Sequence, residues 1–209
     1  MQDIPLYIFV SFIACLTPGS GVLYTVANGF RGGLKTVLAS PCGTTLGVAL
    51  MSAVSATGLG ALIASSPLMY AILQLVSAAV LIWLGWQSWT SASVSLNSLS
   101  SSSAESTVTF RSIFVGAVVL QASNVMLIVF LLSLMPQFID PSHDYVSRIT
   151  LLSVLFTVVC FFLHLGYSLA AAVGSRYLAG PRFSFWLNRI SAVLFWLLAV
   201  SVVYGAFAG

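Results

Sequence analysis

Six apolar stretches with almost no charge inside them take up nearly the whole chain, at residues 4–28, 36–64, 67–89, 111–138, 147–174 and 183–207. A helix needs roughly 20 residues to cross a hydrocarbon core, and each stretch reaches that length. Only 5% of the residues are charged while 59% are hydrophobic, which leaves too little polar surface for life in water. In lipid, every backbone polar group needs an internal partner, so the stretches are expected to be helices. The expected class is all-α and integral to the membrane, with six transmembrane helices and no length left for a soluble catalytic domain. Met1-Gln2-Asp3 lacks the basic start of a cleavable signal, and the apolar run after it is too long for one.

The basic residues set the orientation. Arg31, Lys35, Arg111, Arg176, Arg182 and Arg189 fall on one side of the six-span scheme, and Arg148 alone falls on the other. Basic loops mark the cytoplasmic face, so both termini are expected outward. Arg189 lies just inside the last span, where its stem allows it to snorkel to the interface. Trp83, Trp86 and Trp89, with Tyr177 and Trp186, fit an aromatic belt at the inner boundary. With the basic residues scattered singly, nothing suggests nucleic acid as a partner.

Residues 90–110 are mostly Ser and Thr and read as a cytoplasmic linker. It separates two three-helix segments, 1–89 and 111–209, that resemble each other. Leu73-Gln74-Leu75-Val76-Ser77-Ala78 parallels Leu187-Asn188-Arg189-Ile190-Ser191-Ala192, and Phe9-Val10 parallels Phe114-Val115. An odd number of spans per half places the second half upside down. Two inverted-topology three-helix repeats are a common plan for secondary transporters.

Chemistry is sparse, which makes each polar position informative. Thr17-Pro18-Gly19-Ser20-Gly21 falls within the first span. Pro18 removes a backbone hydrogen bond and clashes with the preceding turn, while the glycines loosen the chain. A break there would bare N–H groups suited to a carboxylate. A simple kink is the alternative. At the matching depth of the fourth span are Gln121, Ser123 and Asn124, expected to face the bundle as interhelical glue or as substrate contacts. In the second span, Ala39, Gly43 and Gly47 form a small-residue packing face, with Thr44 and Thr45 beside it. His164 is the one ionisable side chain deep in a span, and its titration range makes it the candidate for a proton-linked step. Cys15, Cys42 and Cys160 fall in three different spans without metal-ligand spacing. They read as apolar filler, so neither a metal nor a disulfide is expected.

Thr17-Pro18-Gly19, Gly29 to Gly33, Gly43 and Gly47, Leu84-Gly85-Trp86, Asn124 and Met135-Pro136-Gln137-Phe138 together resemble the LysE-type translocators, exporters of amino acids. Three positions depart from what that resemblance implies. Ser20 stands for a second proline, Asn124-Val125-Met126 for Asn-Pro-Lys, and Val48 for a frequent acidic residue. Losing a lysine and a carboxylate favours a neutral amino acid, or a derivative such as a homoserine lactone, over lysine or arginine.

The resulting expectation is a multi-pass protein of the bacterial inner membrane that exports small neutral amino acids by proton antiport, without a cofactor. Its partners are the substrate and membrane lipid, and the reading leaves room for a homo-oligomer. Thr17, Pro18, Gly19, Ser20, Thr44, Gln121 and Asn124 are the expected substrate contacts. Two alternatives stand beside this reading. One is a non-transporting assembly subunit, and the other is an intramembrane hydrolase using Ser20 with His164 as base.

Overall fold

The computed structural model describes residues 4–17, 19–30, 34–65, 67–90, 109–139, 144–173 and 181–208. Pro18, Arg31, Arg176, Tyr177 and most of the Ser-rich linker lie outside these ranges. The described residues form eight helices and no strand: α1 (Ile4–Leu16), α2 (Ser20–Gly29), α3 (Leu34–Ser65), α4 (Pro67–Thr90), α5 (Phe110–Ala122), α6 (Val125–Leu134), α7 (Tyr145–Ala172) and α8 (Pro181–Ala208). A short 3-10 turn, Met135–Phe138, follows α6.

Three helices carry single stretches long and apolar enough to cross a membrane: Thr36–Gly58, Tyr145–Ala172 and Phe185–Tyr204. Two bent pairs raise the number to as many as five. Ile4–Leu16 and Ser20–Gly29 meet at 63°, and Phe110–Ala122 and Leu127–Phe138 meet at 55°. The stretch read as the first span is thus two helices, with the change of direction falling between Leu16 and Ser20. The stretch read as the fourth span is broken too, although it holds neither Pro nor Gly at the break. There the Asn124 side chain begins a new helix by accepting a hydrogen bond from the Leu127 N–H at 3.2 Å. Proline alone does not decide such a break. Pro41 lies inside α3, which continues for 32 residues, as membrane helices allow when neighbours cover the freed carbonyl.

Local signals start the other helices. Thr109 Oγ1 accepts from the Ser112 N–H to open α5, and Asp144 Oδ1 accepts from the Ser147 N–H to open α7. Pro67 occupies the first position of α4, where its missing N–H costs nothing.

Long helices pair across the molecule: α3 lies along α5 and α7, and α4 lies along α8. The core joins Tyr7 and Val10 of α1, Leu81 of α4, Leu131 and Leu134 of α6, Leu152 of α7 and Leu198 of α8. On α7 the buried residues Leu152, Phe156, Cys160, His164, Tyr167 and Ala171 recur every three or four positions, a single inward stripe. The outer faces are apolar as well. Ile72, Leu75, Val76, Ile82, Trp83 and Trp86 of α4 and Trp186, Ile190, Val193, Leu197 and Val200 of α8 are exposed. Stripes of that extent do not persist in water. Arg189 does not simply extend outward; its guanidinium lies 3.7 Å from the Trp89 ring centroid, a cation–π contact that ties α8 to α4.

Small residues allow a close crossing of α3 and α5. A Cβ at Gly43 would collide with the Phe114 carbonyl oxygen and the Ala117 methyl, and one at Gly47 would come within 2.6 Å of Gln121 Cβ. Both glycines therefore lie where α3 and α5 leave no room for a side chain. Gly43→Val or Gly47→Val should cost about 1–3 kcal/mol by overpacking, read as a lowered unfolding temperature in detergent. Gly58→Ala meets nothing within 4 Å and should not lower it. Equal behaviour of the three variants would refute this packing assignment.

Candidate functional site

The two helix breaks face each other across a cavity of ≈ 380 Å³, within the roughly 300–1,000 Å³ range of small-molecule sites. The first break contributes Thr17, Gly19, Ser20, Gly21 and Val22, and the second contributes Gln121, Asn124 and Leu127. Val48 of α3, Leu84, Gln87 and Ser88 of α4, Phe156, Cys160 and His164 of α7 and Phe195 of α8 complete much of the wall. Among the described residues, no Asp, Glu, Lys or Arg lines it.

Each chain end at the first break is treated differently. On the α1 side the backbone is covered by protein: Tyr167 Oη donates to the Leu16 carbonyl at 2.7 Å. Thr17 Oγ1 donates to the Ile13 carbonyl at 3.0 Å. With its proton so used, Thr17 Oγ1 accepts from the Ser191 hydroxyl, which binds α1 to α8. On the α2 side the N-cap is Gly19, which has no side chain to cap with. The start of α2 thus has no side-chain cap, and Gly19, Ser20 and Gly21 line the cavity. Nothing lies within 4 Å of the position a Gly19 Cβ would take. At the second break, Asn124 caps its own helix, so its two ends are employed: Oδ1 accepts from Leu127 N–H and Nδ2 donates to Gln121 Oε1 at 3.3 Å.

The breaks touch through glycine. A Cβ on Gly21 would be 3.1 Å from Gln121 Oε1 and 3.3 Å from His164 Cε1. His164, only 3% exposed, has Nδ1 2.8 Å from Thr25 Oγ1, and Thr25 Oγ1 is 2.8 Å from Ser40 Oγ. Cys15 of α1 and Cys160 of α7 lie side by side at the cavity, with Cys160 one turn before His164 and facing it. They are free thiols. Among the described residues, no group of three or more His, Cys, Asp or Glu has metal-binding geometry. At the apolar end, the Phe130 ring is 5.9 Å from Phe156 and 5.8 Å from Phe195, so α6, α7 and α8 supply an aromatic wall.

Thr17, Gly19, Ser20, Gln121 and Asn124 thus come together with His164. Pro18 lies outside the described residues. Thr44 is buried in α3 and is not among the lining residues. Sequence reasoning missed Thr25, Ser40, Ser191, Tyr167, Gln87, Ser88 and the aromatic wall. One signal was available: Thr25 is four residues after Gly21, on the same face of the helix that follows the break.

Relatives over most of the chain are transport proteins or unassigned membrane proteins. The homoserine/homoserine lactone efflux protein of Salmonella typhimurium is 32% identical over 193 residues, covering 92% of this chain and 91% of the relative. An uncharacterized membrane protein of Vibrio cholerae is 29% identical over 189 residues, covering 90% of each chain. The leucine efflux protein of Enterobacter sp. (strain 638) is 28% identical over 175 residues, covering 82% and 81%. No solved structure matches significantly. The model of the family described as LysE type translocator matches residues 12–206. With its apolar exterior and these relatives, the chain is a multi-pass inner-membrane protein and a transporter rather than an enzyme; it belongs to the LysE type translocator family.

Proposed function

We propose that this translocator exports small neutral amino acids or their derivatives, of the homoserine, threonine or lactone kind, in exchange for protons. The observation that carries the reading is the composition of the cavity. Its wall joins a helix start without a side-chain cap and uncharged hydrogen-bonding groups to an aromatic end, with no charged side chain among the described residues. The amides at Gly19–Gly21 suit a carboxylate, and the second N–H of Asn124 Nδ2 and the remaining lone pair of Thr17 Oγ1 suit its polar neighbours. The aromatic end suits an uncharged substituent. A lysine or arginine side chain would be desolvated there without a counter-ion, which is costly. Two of the three positions that depart from the pattern implied by the family resemblance, Ser20 and Val48, line this cavity. The efflux relatives support the same substrate class.

The proposed architecture has six spans, α4 being the sixth, and both termini outward. Two halves, each a bent entry pair followed by two long helices, would rock about the α3–α7 and α4–α8 contacts. His164 is the proposed proton carrier, since it is buried at the cavity wall and ionisable. One proton entering against a zwitterion moves one charge. At 100 mV that supplies about 2.3 kcal/mol, equivalent to a gradient of roughly fortyfold.

Proteoliposomes containing the protein should accumulate or release labelled L-homoserine, L-threonine or L-leucine faster under an imposed proton gradient. Lysine, arginine and glutamate should remain near the empty-vesicle rate. His164→Gln should remove the dependence on the gradient. Absence of gradient-driven flux for every neutral substrate would sink the exporter reading, while a wild-type response in His164→Gln would remove His164 from it.

Gly21→Val tests the site itself. The added side chain would crowd Gln121 Oε1 and His164 Cε1, so flux should fall at least about tenfold, a transition-state cost of roughly 1.4 kcal/mol. The quantity of folded protein recovered in detergent should change little. Normal flux in this variant would place the substrate elsewhere.

A further inference from the structure

A buried proton carrier must keep hydrogen-bond partners in both of its charge states, because an unpartnered polar or charged group in a dry interior is expensive. The Ser40–Thr25–His164 chain meets that requirement. Thr25 and Ser40 are both 0% exposed, on α2 and α3, and both are absent from the cavity wall. His164 lines the cavity, yet its Nδ1 points to Thr25 Oγ1 at 2.8 Å. Which ring nitrogen is protonated is set by the bond the other one makes. We propose that Thr25, backed by Ser40, holds neutral His164 as its Nδ1–H tautomer and so keeps Nε2 available to take up a proton. This rests on the reading of His164 as the proton carrier.

The hydrogen bonds then run in one direction. Nδ1–H donates to Thr25 Oγ1, and the Thr25 hydroxyl donates to Ser40 Oγ at 2.8 Å. In this direction Ser40 Oγ is the terminal acceptor of the chain. When Nε2 gains a proton, the chain does not need to reorganise. The Nδ1–H bond to Thr25 becomes charge-assisted and stronger, and loss of the proton from Nε2 restores the starting arrangement. No bond other than Nε2–H forms or breaks.

Among the described residues, one other titratable group faces the ring and a second lies behind it. Cys160 lies one turn back on α7, and Cys15 reaches Cys160 from α1. Thiols are weak donors and acceptors. Gly21 of α2 and Gln121 of α5 border the same site, and neither titrates. The hydroxyl pair is therefore the strongest partner for Nδ1. Thr25 and Ser40 are positioning residues, with no contact to substrate.

The test is ¹⁵N NMR of the full-length protein in lipid, labelled at histidine, with His143→Gln used to assign the two ring systems. At a pH where His164 is neutral, the wild type should give a protonated Nδ1 and an unprotonated Nε2. Thr25→Val, similar in shape but with no hydroxyl, should lose that pattern, and Thr25→Ser should restore it. Proton-driven flux of L-homoserine in the same samples should fall at least about tenfold in Thr25→Val and recover in Thr25→Ser. A protonated Nε2 in the wild type would overturn the inference. So would the Nδ1–H pattern surviving Thr25→Val and disappearing only in Cys160→Ala. A Thr25-dependent tautomer without any gradient-driven flux would support the positioning geometry and count against the proton-exchange reading on which its purpose rests.

Discussion

Lipid offers a peptide group no hydrogen bond, so a helix that stops in the membrane has to be finished by the rest of the protein. The fold is organised around that obligation at two places. The end of α1 is finished by Tyr167 from α7 and by Thr17 and Ser191 joining α1 to α8. The start of α6 is finished by Asn124 from within the chain. What is left over, the start of α2, has a glycine cap and faces the cavity. Of the two helix starts at the breaks, that of α2 is the one without a side-chain cap among the described residues.

The uncharged character of the cavity's described lining has consequences for transport. A fixed lysine or carboxylate would hold an oppositely charged group strongly in low dielectric and would have to be uncovered at each turn of the cycle. Hydroxyls, amides and helix-start N–H groups bind more weakly and stay satisfied by water when the substrate leaves. Close glycine contacts at α3–α5 keep the walls near enough to exclude lipid. The aromatic wall of Phe130, Phe156 and Phe195 gives the opposite end a shape without a charge. The same economy extends to His164, whose partner is a pair of neutral hydroxyls rather than a carboxylate.

Much of this was legible in the residues because membrane helices have one strong signal. Apolar length located the helices, and Thr17 to Gly21 located a break. The i, i+4 spacing of Gly43 and Gly47 identified a packing face. The second break was harder to read. Ser123 and Asn124 are common inside helices, and the capping role of Asn124 depends on the chain having already turned. Pro41 shows the converse, a helix breaker within an unbroken helix. Thr25 and Ser40 were invisible for another reason: they come from different helices, and only the packing of α2 between α3 and α7 brings them to His164. The neighbouring Cys15 and Cys160, far apart in sequence, were likewise unrelated until the helices packed.

The central claim is that the start of α2 borders a watery, substrate-accessible space within the bundle. Replacing Cys15, Cys42 and Cys160 with alanine and introducing Ser20→Cys gives a single reporter thiol there, to be treated with a membrane-impermeant methanethiosulfonate in intact proteoliposomes. That thiol should be modified, and more slowly with saturating L-homoserine or L-leucine, whereas a thiol at the outward-facing Phe162 should react slowly and be indifferent to either. A Ser20→Cys thiol as unreactive as the one at Phe162, or one modified at the same rate with and without the amino acids, would contradict the claim.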